Sequence, residues 1–159
     1  KLKTQEYYSI NSVAPSSDNS LIAFNDDDNG RREFTIKILD SDYELLDDEI
    51  TQTSYGIFWS SDNKFIIYLK KDPITLIANQ VYVHEIGTSQ DKDVLIYKEE
   101  DSEFNINLSQ SRTDKFIYIN IEKTNANEIR LKTSNISEGL YIIEIRSNDI
   151  STKRKLSIQ

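Results

Sequence analysis

The chain has 159 residues, a length that fits a single domain. Its formal net charge of −8 and sequence pI near 4.7 argue against duplex nucleic acid or anionic membrane as partners, since both are bound through clustered Lys and Arg. The absence of cysteine excludes disulfides and thiolate metal sites, and no apolar run approaches the ~18 residues of a membrane-spanning helix. Twenty-three Ile, nine Tyr and six Phe stand against four Ala, which favours pleated, half-buried strands over helices. The composition predicts an all-β chain.

Residues 1–6 carry neither a starting Met nor the apolar stretch of a signal peptide, so the chain is expected to begin inside a longer protein. From Ser12 to Phe24 a short apolar strand runs into the Ser/Asp turn Ser16-Ser17-Asp18-Asn19 and returns through a strand ending in an aromatic. Asp and Ser close such turns by bonding their own backbone. The following run, Asn25-Asp26-Asp27-Asp28-Asn29-Gly30, has the composition of a calcium loop. A twelve-residue loop starting at Asn25 would, however, place its bidentate Glu at Ile36. A hairpin loop between the second and third strands explains the run more simply, and Arg31-Arg32 would partly neutralise it. Residues 34–39 form the third strand candidate and residues 44–46 a weaker fourth.

The pattern returns at Ile57-Phe58-Trp59-Ser60-Ser61-Asp62-Asn63-Lys64-Phe65-Ile66-Ile67-Tyr68, with strand candidates following at 81–86 and 94–97. His84, the sole histidine, sits mid-strand among Val81, Val83 and Ile86, where a packed or edge histidine is expected. A catalytic base would need a nucleophile and an orienting carboxylate beside it. One histidine also cannot build the usual His-based metal site. The nearest approach to a hydrolase G-x-S-x-G elbow is Gly87-Thr88-Ser89-Gln90-Asp91, where Asp91 replaces the second Gly and no helix is expected to follow. It reads as a loop. No catalytic, cofactor or metal residue is expected in the chain.

A third copy spans Ile106 to Tyr118 around Ser109-Gln110-Ser111-Arg112-Thr113-Asp114, and the pattern fades after 129–131. The turn aspartates 18, 62 and 114 lie 44 and 52 residues apart, near the period of propeller blades of about four strands each. A β-sandwich of about ten short strands is the alternative left by periodicity. The Gly-His and Trp-Asp marks of WD repeats are missing. The expected organisation is a partial β-propeller over residues 1–134, with blades at about 7–50, 51–100 and 101–134, and a β-hairpin tail over 135–159. Three blades do not close a ring that typically takes about four to eight.

The segment from Lys71 to Thr88, with Asp72-Pro73-Ile74-Thr75-Leu76 leading into Val83-His84-Glu85-Ile86-Gly87-Thr88, resembles the propeller of the oligopeptidase B branch of the prolyl oligopeptidase family. Asp93-Val94-Leu95-Ile96-Tyr97, Glu99 to Phe104, and the opening Glu6 to Val13 continue the likeness, which covers roughly residues 6–134. The resemblance implies a two-domain serine endopeptidase cleaving short peptides after Lys or Arg. In it a seven-bladed propeller restricts access to an α/β-hydrolase domain. None of that family's catalytic residues has a matching position here, so the chain itself is expected to be non-catalytic. Its expected partners are the α/β-hydrolase domain and the remaining blades, with short peptides as ligands of the intact enzyme. The alternative is a stand-alone secreted propeller-like binding module. The tail from Asn135 to Gln159, with Gly139-Leu140-Tyr141, an alternating strand and the Lys-rich Lys153-Arg154-Lys155, is similar to the end of a type IX secretion sorting domain. An ordinary hairpin would alternate in the same way. The family resemblance implies a cytoplasmic or periplasmic location, and a functional sorting tail would imply secretion.

Overall fold

The computed structural model of the chain describes residues 7–113, 116–123, 129–132, 135–136 and 140–141. Apolar residues at every second position build antiparallel strands in three successive groups. The first blade is β1 (Ser9–Pro15), β2 (Ile22–Asp27), β3 (Phe34–Leu39) and β4 (Leu45–Thr53). The second is β5 (Phe58–Trp59), β6 (Phe65–Lys71), β7 (Ala78–Glu85) and β8 (Val94–Lys98). The third contains β9 (Phe104–Gln110), β10 (Ile117–Lys123) and β11 (Ile129–Lys132). Neighbours pair in sequence order within each blade, and a single bridge between Thr53 and Lys70 stitches the first blade to the second. This is a partial β-propeller, not a sandwich.

The second blade is buried on both sides, and β6 shows why its sequence is nearly continuous in apolar residues. Ile66 and Tyr68 face the first blade, packing with Ala23, Ile36, Ile38, Ile50, Ile57 and Trp59. Ile67 and Leu69 point the other way, joining Val81 and Val83 against Phe104, Ile106, Ile117, Ile119 and Ile121 of the third. Alternation along one strand thus feeds two separate cores.

The repeated Ser turns share one wiring. Ser16 N–H donates to Leu21 O, and the Ser16 hydroxyl accepts from Leu21 N–H while donating to Asp18 at 2.7 Å. Ser60 repeats these contacts with Phe65 and Asp62. Asn19 and Asn63 take the left-handed conformation, with φ of 59° and 58°, which asparagine tolerates better than most residues. In the third turn Ser111 and Phe116 make the same pair of bonds, but Thr113 stands two residues after the serine. The third turn therefore aligns on Thr113, one residue before the aspartate used for the spacing of 52. Asp114 itself lies outside the described residues.

Asp18 carries a pH consequence. Its carboxylate accepts from the Ser16 hydroxyl and from the backbone and hydroxyl of Ser20, and these bonds hold its pKa at about 2, against 3.8 ordinarily. A depressed folded-state value means a stabilising contribution that is complete above about pH 4 and lost as pH falls through 2. Thermal melts of the wild type and Asp18→Asn between pH 5 and 2 should therefore converge as the pH drops. A difference that stays constant across that range would contradict this assignment.

Two expectations need correction. The fourth strand of the first blade runs from Leu45 to Thr53, past both residue 46 and the blade boundary at 50. The acidic stretch 47–49 disguises it, because Asp48 takes an inward position beside Ile50 while Asp47 and Glu49 face solvent. The run at 25–30 is strand through Asp27 and loop only beyond it. Residues 86–93 form the loop between β7 and β8, as expected, with one 3₁₀ turn at Gln90–Lys92. In the tail, β12 (Asn135–Ile136) pairs with β13 (Leu140–Tyr141), and the remainder of the sorting-like segment lies outside the described residues.

Candidate functional site

β7 alternates like β6, so Val81 and Val83 face the third blade and His84 faces the first. His84 is fully buried there. Its Nδ1 lies 2.7 Å from Asp93 Oδ1, and its Nε2 lies 2.9 Å from Asp48 Oδ1. Asp48 comes from β4 of the first blade and Asp93 from the residue before β8, so the imidazole joins two blades. Carboxylate oxygens accept, so a ring N–H of His84 has an aspartate acceptor on either side. Both carboxylate side chains are nearly inaccessible, 4% and 2% exposed, which leaves the charges screened by one another and not by water.

Further donors complete the cluster. The Tyr68 hydroxyl donates to Asp93 Oδ2 at 2.7 Å, and Gly87 N–H donates to Asp48 Oδ1 at 2.6 Å. Burial pushes the Tyr68 pKa upward, and the bond to Asp93 adds to the shift, so the phenol stays a donor at any ordinary pH. Gly87 reaches Asp48 from the left-handed region, φ +82°, where glycine carries no Cβ penalty. Gln90 ties the rim: its Oε1 accepts from Thr51 N–H and Oγ1, and its Nε2 donates to Thr51 O. The 3₁₀ turn thereby extends the first blade's outer strand with a side-chain amide.

The geometry assigns the sequence candidates differently from a hydrolase centre. Both ring nitrogens of His84 are engaged by aspartates, while the Ser89 hydroxyl donates to Asp91. His84 and Ser89 do not form a base–nucleophile pair. In the acidic run, Asn25 Oδ1 accepts from Ser12 N–H, and Asp26 pairs with Lys37 at 2.7 Å and accepts from Tyr8. Burial alone would raise the Asp27 pKa, but N–H donors from Arg32, Asn29 and Gly30 outweigh it and lower the value. These oxygens hold the loop. Arg31 and Arg32 also contribute backbone N–H groups to it, to Asn29 and Asp27 respectively.

Asp93 and Tyr68 entered the sequence analysis only as parts of a family motif and a strand repeat, and Asp48 not at all. The available signal was periodicity: Asp48 shares the inward parity of Ile50, and Tyr68 that of Ile66.

Residues 3–150 match the family model described as the prolyl oligopeptidase N-terminal β-propeller domain, a match that runs beyond the expected boundary at 134. A dipeptidyl aminopeptidase BI from Pseudoxanthomonas mexicana is 38% identical over 148 residues, covering 92% of this chain and 20% of the relative. Protease 2 of Moraxella lacunata is 27% identical over 149 residues, covering 91% and 21%. The structure of oligopeptidase B from Leishmania major superposes with a TM-score of 0.79 at 24% identity, over 91% of this chain and 21% of that one. The chain thus spans about a fifth of the length of the relatives it matches. It belongs to the N-terminal β-propeller domain family of the prolyl oligopeptidases.

Proposed function

We propose that the chain is a non-catalytic propeller segment of an oligopeptidase B-like serine peptidase, in which the propeller restricts the α/β-hydrolase active site to short peptides. The observation that carries this reading is the match of residues 3–150 to the propeller domain. The engagement of His84 by Asp48 and Asp93 supports it, because the histidine is spent on holding blades together. The proposed partners are the remaining blades and the hydrolase domain. Short peptides, cleaved after Lys or Arg, are the proposed substrates of the whole enzyme.

The purified chain should show no amidase turnover on Arg- or Lys-ending peptides. Turnover abolished by His84→Ala or Ser89→Ala would sink the non-catalytic assignment. The restricting role is tested by grafting residues 3–150 in place of the matching segment of the Pseudoxanthomonas relative. The chimera should keep short-peptide hydrolysis and spare a folded protein substrate. Loss of that discrimination in an otherwise active chimera would refute the role.

A further inference from the structure

Several bonds cross the seam between the first two blades, each set by direction as well as distance. Trp59 Nε1 donates to Ala14 O at 2.8 Å, and Ser17 N–H and Oγ both reach Asn63 Oδ1 at 2.9 Å. Lys71 Nζ donates to Arg32 O, and Thr51 exchanges three bonds with Gln90. At their centre lies the fully buried His84 between Asp48 and Asp93. Apolar packing is non-directional and tolerates small sliding, whereas a buried donor that slides off its acceptor pays a full desolvation penalty. The Ser17–Asn63, Lys71–Arg32 and Thr51–Gln90 bonds are exposed to water, so that penalty falls on the contacts of the buried His84.

We infer that the Asp48–His84–Asp93 cluster is a clasp that makes the first two blades open and move as one rigid unit. His84 is anchored by its pairing with Ile66 on β6. Asp48 lies where the β3–β4 register shifts between Leu45 and Glu49, so its contacts with His84 Nε2 and Gly87 N–H hold it in place. A peptidase ring containing this pair would therefore have to widen elsewhere than between these blades.

Native-state hydrogen exchange of residues 3–150 within the full-length chimera described above tests the inference. The slowest amides of β2 and β3 should open together with those of β6 and β7, within about threefold in rate. In Asp48→Asn, which keeps an acceptor for Gly87 but removes the charge, the β2–β3 amides should exchange at least ~10-fold faster than those of β6–β7, a gap of about 1.4 kcal/mol. His84→Gln serves as the second variant. The inference is overturned if the two blades already differ by more than about threefold in the wild type, or if they stay within about threefold in both variants.

Discussion

Replacing His84 with alanine should lower the unfolding free energy by about 3–5 kcal/mol, the usual cost of stranding a buried charge by removing its partner. Two carboxylates are stranded here, on Asp48 and Asp93, and each is at least 96% buried at its side chain. Tyr68 and Gly87 would remain as their donors, which bounds the loss from above. A domain of this size is stable by only about 5–15 kcal/mol, so the variant should be close to unfolding at room temperature. Denaturant midpoints decide the matter. Glu85→Ala, at the exposed next position of the same strand, should stay within about 0.5 kcal/mol of wild type. Equal midpoints for the two variants would show that the cluster bears no strain of burial. Asp48→Asn should fall between them, at about 1–3 kcal/mol, because the amide oxygen still accepts from Gly87.

How much of this could be read from the chain depended on whether a signal was local. The turns were legible because Ser16 and Ser60 bond to residues within five positions, so a short motif contains the whole device. The strands of β2, β3 and β6 were legible for a similar reason, since alternation or an apolar run shows within a few residues. β4 was mostly missed because Asp47, Asp48 and Glu49 look like a solvated loop. Only the opposite blade, carrying His84, makes an inward aspartate affordable. The clasp joins residues 36 and 9 positions apart, and nothing in the local sequence of Asp48 announces a partner on β7. His84 was expected to be packed or at a surface edge; it is fully buried, and its two partners belong to long-range topology. The third turn was misaligned by one residue because Asp114 imitates the aspartate that Thr113 replaces.

The isolated 159-residue chain should self-associate, or melt low, until further blades are supplied. The second blade has a neighbour on each side, and its β6 residues are accordingly buried in both cores. Among the described residues the first blade has one on its inner side alone. Toward its other side it presents Ile10 and Val13, 52% and 60% exposed, with Ile22, Phe24 and Leu39 half-buried around the Lys37–Asp26 pair. In a closed propeller every such face is covered, and ring closure removes the exposed strand edges as well. At about 25 cal/mol per Å², a bare face of a few hundred Å² forfeits on the order of 5–10 kcal/mol. That loss rivals the whole stability of a typical domain, so two chains have a strong incentive to cover each other's open faces. The formal charge of −8 slows such association without replacing the missing contacts. Sedimentation should therefore show concentration-dependent oligomers, and the melting temperature should rise with protein concentration, as it does whenever the folded state gains from a partner. Extending the chain with the propeller blades of the Pseudoxanthomonas relative should suppress the oligomers and raise the melting temperature together. A monodisperse monomer with a sharp melt above ~60 °C, near the top of the usual mesophile range, would show that three blades cover their own faces without help.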